Sequence, residues 1–171
     1  MRSERSRDRG RRGAGPATPA TIALDRAGVP YVRHTYEHDP AAAGYGLEAA
    51  AMLGVSAKRV FKTLLVDTGA GLGVGIVPVT GTLDLKAVAA ALGVKNVSMA
   101  GPAAAERSSG YVVGGISPLG QRRALPTVLD DTAGEFATIY VSGGRRGFDI
   151  ELAPGDLATM TRATRAPIGR P

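Results

Sequence analysis

Apolar residues crowd most densely at 60–66 and 72–79, on either side of a Gly-rich stretch at 68–73. Two β-favouring runs separated by a glycine turn predict a hairpin, each strand buried on at least one face. Within the first run, alternation sets Lys62 on the same face as Leu64 and Val66, opposite Phe61 and Leu65. An apolar face that carries a lysine either ends at open water, which the ammonium reaches, or borders a cleft. The pattern alone leaves both readings open.

Helical signals flank this hairpin. Thr18 before Pro19 is an N-cap followed by an N1 proline, and Gly28 supplies the C-terminal stop of a short first helix. Residues 29–36 carry Tyr31, Val32, Thr35 and Tyr36 and read as a strand, which enters an irregular loop at 37–40. Gly44 and Gly46 keep that loop open before a helix over 47–53 stopped by Gly54, and Ser56 caps one further turn. Beyond the hairpin come a helix over 85–92 ended by Gly93, a brief strand at 97–99 and a short helix from Pro102 to Arg107. Strands at 126–130, 138–142 and 148–152 follow, the last two joined by the glycine and arginine turn 143–147, with a last helix behind Pro154. Strands outnumber helices, and hairpins mix with helical excursions. This predicts an α+β domain with a curved, mixed, mostly antiparallel sheet and flanking helices over 18–165, a disordered extension at 1–17 and a loose tail at 166–171.

One segment fits none of these elements. Residues 110–121 read Gly-Tyr-Val-Val-Gly-Gly-Ile-Ser-Pro-Leu-Gly-Gln. Glycines admit positive φ and close approach, while Pro118 fixes its own φ and restrains Ser117, so the loop has a defined shape. Its core from Gly114 to Pro118 presents main-chain N–H groups with no side chain in front of them, which suits a carbonyl or oxyanion. A plain surface turn between two elements carries the same glycines.

Composition narrows the chemistry. The 171 residues fit one domain with an aliphatic core, since aromatics make up only 5% and tryptophan is absent. The chain has no cysteine, which removes disulfides, thiolate metal sites and a cysteine nucleophile. No apolar run approaches the roughly 20 residues of a membrane span, and the N-terminus lacks a secretory apolar segment, so the expected location is the cytoplasm. The net charge of +6 is concentrated at the N-terminus: six arginines against Glu4 and Asp8 give +4 over 1–15 and leave +2 for the rest. That extension is a weak electrostatic match for nucleic acid or simply a solvated arm.

The usual catalytic motifs are missing. His34 and His38 would share a face only on a helix, and Thr35, Tyr36 and Pro40 argue for extended chain, against a metal site. There is no Gly-x-Ser-x-Gly elbow, P-loop or dinucleotide fingerprint. The turn 143–147 reads as a solvated tip with two exposed arginines, or as an anion-binding turn.

Six segments together resemble a known family: 34–40 (His-Thr-Tyr-Glu-His-Asp-Pro), 60–64 (Val-Phe-Lys-Thr-Leu), 83–86 (Leu-Asp-Leu-Lys), 107–121, 135–144 and 147–152. In unbroken order over about 18–165, they are similar to the YbaK/EbsC-type Cys-tRNA(Pro) deacylases, free-standing relatives of the editing domain inserted in bacterial prolyl-tRNA synthetases. The resemblance implies a barrel-like mixed sheet and hydrolysis of the ester that joins a wrong amino acid to tRNA. It implies functional roles for Tyr36, Lys62, Gly114, Pro118 and Asp149; with the main-chain reading of the glycine loop added, the expected catalytic positions are Lys62, Gly114 and Gly115 and the expected substrate-binding positions Tyr36, Ile116, Ser117, Pro118 and Asp149, with no metal and no cofactor. Its implied partners are the aminoacyl-tRNA, chiefly Cys-tRNA(Pro), and prolyl-tRNA synthetase, with no membrane.

An activated ester needs an oriented nucleophile and a stabilised oxyanion more than a strong base. With no enzyme nucleophile in sight, the substrate thiol is expected to attack its own carbonyl, with main-chain N–H groups at Gly114 and Gly115 holding the oxygen. Lys62 is expected to act as a cation near the developing charge or the nucleotide oxygens, and Asp149 to hold the α-ammonium. Clearing of alanine or serine, or a non-catalytic tRNA or nucleotide-binding accessory of a synthetase, are the alternative readings.

Overall fold

A computed structural model describes residues 15–42 and 44–171; of the Arg-rich extension, residues 1–14 lie outside the described residues. Helix α1 (Pro19–Ala27) begins where expected, because Thr18 and Thr21 form a reciprocal capping box, and it stops at Gly28 with φ 67°. Strand β1 (Val32–Thr35) is shorter than the alternation suggests. Val29 spends its N–H on the Leu24 carbonyl in the helix cap and Pro30 has none, so the ladder starts later. Helix α2 (Tyr45–Leu53) starts two residues earlier than expected, and a 3-10 turn at Ala57–Arg59 is capped by Ser56 as expected.

The hairpin of β2 (Phe61–Asp67) and β3 (Leu72–Pro78) is antiparallel, with Lys62 opposite Val77 and Leu65 opposite Val74. It is followed by β4 (Thr82–Leu83), α3 (Leu85–Leu92), β5 (Ser98–Met99), α4 (Pro102–Ser109), β6 (Thr127–Asp130), β7 (Ile139–Arg145), β8 (Phe148–Leu152), α5 (Pro154–Thr161), β9 (Thr164–Ala166) and β10 (Gly169–Arg170). These form a five-stranded sheet β5-β2-β3-β6-β9, a three-stranded sheet β1-β8-β7 and a ribbon β10-β4. Most pairings are antiparallel; β3-β6 and β6-β9 are parallel. The α+β class holds, while the barrel does not close among the described residues. The two larger sheets join at one parallel bridge, Val60 to Tyr140, and their other margins end in edge strands.

Phe61, Leu65, Val74 and Ile76 face Ile139, Val141, Phe148 and Ile150 across the main core, closed by Leu24 of α1 and Leu157 of α5. On the other face of the hairpin, Val66 and Val77 pack with Val88 of α3, Val128 and Ile168. The tail expected to be loose is therefore part of the fold. Ile168 is fully buried, and its N–H donates to Asp130 Oδ1 at 2.9 Å.

Candidate active site

Lys62 stands on β2 where that strand loses a neighbour. β5 pairs with β2 only at Val66 and Asp67, and Ala100 N–H reaches the Leu65 carbonyl, so β2 has an open edge between that pairing and the Val60–Tyr140 bridge. That edge forms one wall of a cleft of about 430 Å³. The ammonium of Lys62 lies in this cleft half-buried, and desolvation moves its pKa down from the ordinary lysine value. It forms no ion pair among the described residues. Thr63 lines the same wall, and its Oγ1 is buried with no hydrogen-bond partner among the described residues.

Asp149 comes from β8, between His34 of β1 and Ser142 of β7 in the ladder. Its residue exposure is 6%, and burial pushes the carboxyl up to about 7. Tyr36 follows β1, anchored by its N–H on the Gly147 carbonyl at 2.9 Å. Burial raises its phenol to about 12, helped by the nearby charges of Asp149 and Glu48.

The shift of Asp149 has a direct consequence. A carboxyl whose folded pKa lies above its ordinary 3.8 binds its proton more tightly when folded, so stability falls as pH rises from about 4 to 7. The full penalty applies above pH 7 and is at most about 4 kcal/mol. Asp149→Asn is expected to raise stability at pH 8 by about 1–3 kcal/mol and to flatten the change in Tm between pH 5 and 8. Thermal unfolding of both proteins across that range checks it, and a parallel pH dependence in the two would refute it.

The glycine loop closes the cleft from the opposite side. It leaves α4 through Gly110, with φ 81°, and Tyr111 pins it by donating its hydroxyl to the Leu119 carbonyl at 2.7 Å. Gly114 takes φ +87°, and a Cβ there would lie 2.7 Å from the Tyr45 ring. A Cβ on Gly115 would lie 3.0 Å from the main chain of Arg145 and Arg146, so the loop rests directly on the β7-β8 turn. Gly115 donates its N–H to the Val112 carbonyl at 2.9 Å and is thereby spent on a turn. Gly114 N–H has no partner among the described residues.

Tyr36, Lys62, Gly114, Ile116 and Asp149 thus converge on one cleft, while Gly115, Ser117 and Pro118 do not line it. Ser117 and Pro118 are buried behind the wall, where Ser117 Oγ accepts from Leu119 N–H and its carbonyl accepts from Gln121 Nε2. The N–H of Gly115, expected to hold an oxyanion, already has an acceptor in the Val112 carbonyl. Sequence reasoning missed Thr63, Tyr45 and Ser142, which also line the cleft. Thr63 and Ser142 lie inside motifs already singled out, beside Lys62 and Gly143, and so could have been found.

Neither histidine lines the cleft. His34 Nε2 lies 2.9 Å from Glu151, and His38 Nδ1 lies 2.9 Å from Glu48, so each ring has its own carboxylate. Among the described residues no three His, Asp or Glu side chains gather where a metal could be held, and no helix is long and apolar enough to cross a membrane. The cleft instead offers a desolvated ammonium, a carboxyl that titrates near neutrality, a phenol and a main-chain donor. That set can bind and polarise an ester, and neither histidine nor cysteine stands among the lining residues.

The family model for the aminoacyl-tRNA editing domain matches residues 39–160. A curated protein of Enterococcus faecalis, "Putative Cys-tRNA(Pro)/Cys-tRNA(Cys) deacylase EbsC", is 40% identical over 117 residues, which span 68% of this chain and 71% of that protein. Among solved structures, "hypothetical protein APE2540" aligns over 90% of this chain and 100% of its own, with 25% identity and a TM-score of 0.80. The crystal structure titled "a putative trans-editing enzyme for prolyl tRNA synthetase" shares the fold over 92% of this chain and 100% of its own, at 23% identity and a TM-score of 0.77. Sequence and fold agree: the chain belongs to the aminoacyl-tRNA editing domain family, among its YbaK/EbsC-type members.

Proposed function

We propose that the protein is an aminoacyl-tRNA deacylase that removes cysteine from Cys-tRNA(Pro), with the substrate's own thiol as nucleophile. The observation that carries this reading is the cleft itself. It brings Lys62, Asp149 and Gly114 together around a volume suited to an aminoacyl ester, with no histidine or cysteine among its lining residues. Family membership and the name of the Enterococcus faecalis relative support the substrate class.

In this reading the α-ammonium sits against Asp149, whose deprotonation a nearby cation favours. The sulfur attacks the carbonyl carbon, a C–S bond forms, and the C–O bond to the ribose breaks. The thiol proton ends on the departing ribose oxygen. The strained cyclic thioester then takes up water and leaves as free cysteine. Gly114 N–H holds the carbonyl oxygen as charge develops on it, and Lys62 stabilises the same charge or the leaving oxygen. Tyr36 orients the amino acid beside Asp149. A net charge of only +2 outside the first fifteen residues is a weak platform for tRNA, which favours delivery by prolyl-tRNA synthetase.

The test is deacylation of Cys-tRNA(Pro) and Pro-tRNA(Pro) by the purified protein, with and without the synthetase. Loss of cysteine with proline retained is expected, accelerated by the synthetase at limiting tRNA. Retention of cysteine on a tRNA that still binds would make the protein a binding module.

A further inference from the structure

The β7-β8 turn carries two arginines, and they differ. Arg145 ends β7, while Arg146 turns back over the glycine loop. Its Nε and Nη2 both donate to the Val113 carbonyl, at 3.0 and 2.7 Å, and its guanidinium lies over the Tyr45 ring at 5.1 Å. Tyr45 in turn packs against His38, which is tied to Glu48 of α2. Gly114 occupies the remaining space in this stack, since a Cβ on it would come within 2.9 Å of Arg146 Nε. Two walls of the cleft, the glycine loop and the start of α2, therefore meet the β7-β8 turn behind them at one guanidinium.

We propose that Arg146 is a positioning residue that sets the place of Gly114, and with it the main-chain donor for the ester carbonyl. A planar fork is needed for this task. It chelates one carbonyl with two N–H groups and keeps a flat face for the tyrosine, which an ammonium cannot do. The kinetic part of the proposal rests on the deacylase reading; the structural part does not. A displacement of about 1 Å at a donor that acts on developing charge reduces the rate of the chemical step more than it reduces binding.

The experiment compares Arg146→Ala, Arg146→Lys and Arg145→Ala in Cys-tRNA(Pro) deacylation. Both Arg146 variants are expected to lower kcat by about 10- to 100-fold with KM within about twofold, and Arg145→Ala to stay within about twofold of wild type. Full activity of Arg146→Lys would overturn the proposal. So would equal, salt-sensitive rises in KM for Arg145→Ala and Arg146→Ala, which would make both arginines attractors of tRNA phosphate. Amide hydrogen exchange at Gly115 supplies a readout free of activity, because its bond to Val112 lies inside the latched loop. Faster exchange by about tenfold or more in Arg146→Lys is expected, and unchanged exchange would refute the latch. If the wild type cleaves no aminoacyl-tRNA, the deacylase reading fails while the exchange result still decides the latch.

Discussion

Lys62→Ala is expected to slow single-turnover deacylation of Cys-tRNA(Pro) by about 10²- to 10³-fold while leaving the protein folded. The size follows from where the charge sits. A half-buried cation, partly stripped of its water, acts on a developing oxyanion more strongly than one in bulk water, and no other lysine or arginine among the described residues lines this cleft. The sparing of the fold follows from the same burial. Desolvation lowers the lysine's pKa and no carboxylate among the described residues compensates it, so its removal leaves no stranded partner. The β2-β3 ladder beneath it is made of main-chain bonds. Thermal unfolding should therefore match or exceed wild type, and Lys62→Arg should fail to rescue, because a flat, longer group cannot place its charge at the same point. A fully active Lys62→Ala protein would remove the lysine from the mechanism.

The second large effect concerns stability. Asp130 closes β6 with 3% exposure and acts as a clasp for the tail. Its Oδ1 accepts from Ile168 N–H at 2.9 Å and Gly169 N–H at 2.8 Å, and its Oδ2 accepts from the N–H and hydroxyl of Thr132. Alanine at 130 would strand the buried Ile168 N–H, take the acceptor from Gly169 N–H and loosen Ile168 in the cluster with Val66, Val77, Val88 and Val128, leaving the β10-β4 ribbon and the bond from Asp84 N–H to the Ile168 carbonyl to hold the tail. Unsatisfied donors cost about 1–3 kcal/mol each, and exposing a buried isoleucine costs a further 1.5–3 kcal/mol. Asp130→Ala is expected to lose about 3–5 kcal/mol, a large share of the roughly 5–15 kcal/mol that holds a domain together. Asp130→Asn should fall between, since its amide still accepts through one oxygen. Urea unfolding checks this, and a midpoint within error of wild type for Asp130→Ala would show that the clasp contributes nothing.

The same clasp shows what the chain disclosed and what it did not. Thr18, Gly28, Asp84 and Gly93 act through neighbours a few residues away, so the ends of α1 and α3 could be read directly. The hairpin β2-β3 was legible for a similar reason, since its two apolar runs flank their own turn. Ile168 sits among Arg, Pro and Gly, and only a contact with Asp130, 38 residues distant, reveals that it belongs to the core. The barrel-like form is not confirmed among the described residues, because closure depends on which strands end a sheet, and no local pattern carries that. Lys62 was ambiguous on alternation for the same cause: its cleft exists because β5 stops at Met99. Tyr36 and Asp149 stood out through family resemblance, and their burial and shifted ionisation emerge only from the fold. The committed N–H of Gly115 and the forked contact of Arg146 are details of turn geometry that composition hides.

The thiol is the heart of the account, and the most direct test compares Cys-tRNA(Pro) with Ser-tRNA(Pro) under single turnover at saturating protein. The two esters differ only in sulfur against oxygen, with nearly the same size, so a cleft that acted through its own groups would cleave them at similar rates. Cysteine is expected to be released at least about 100-fold faster than serine. Equal rates for the two would contradict it and place the nucleophile outside the substrate.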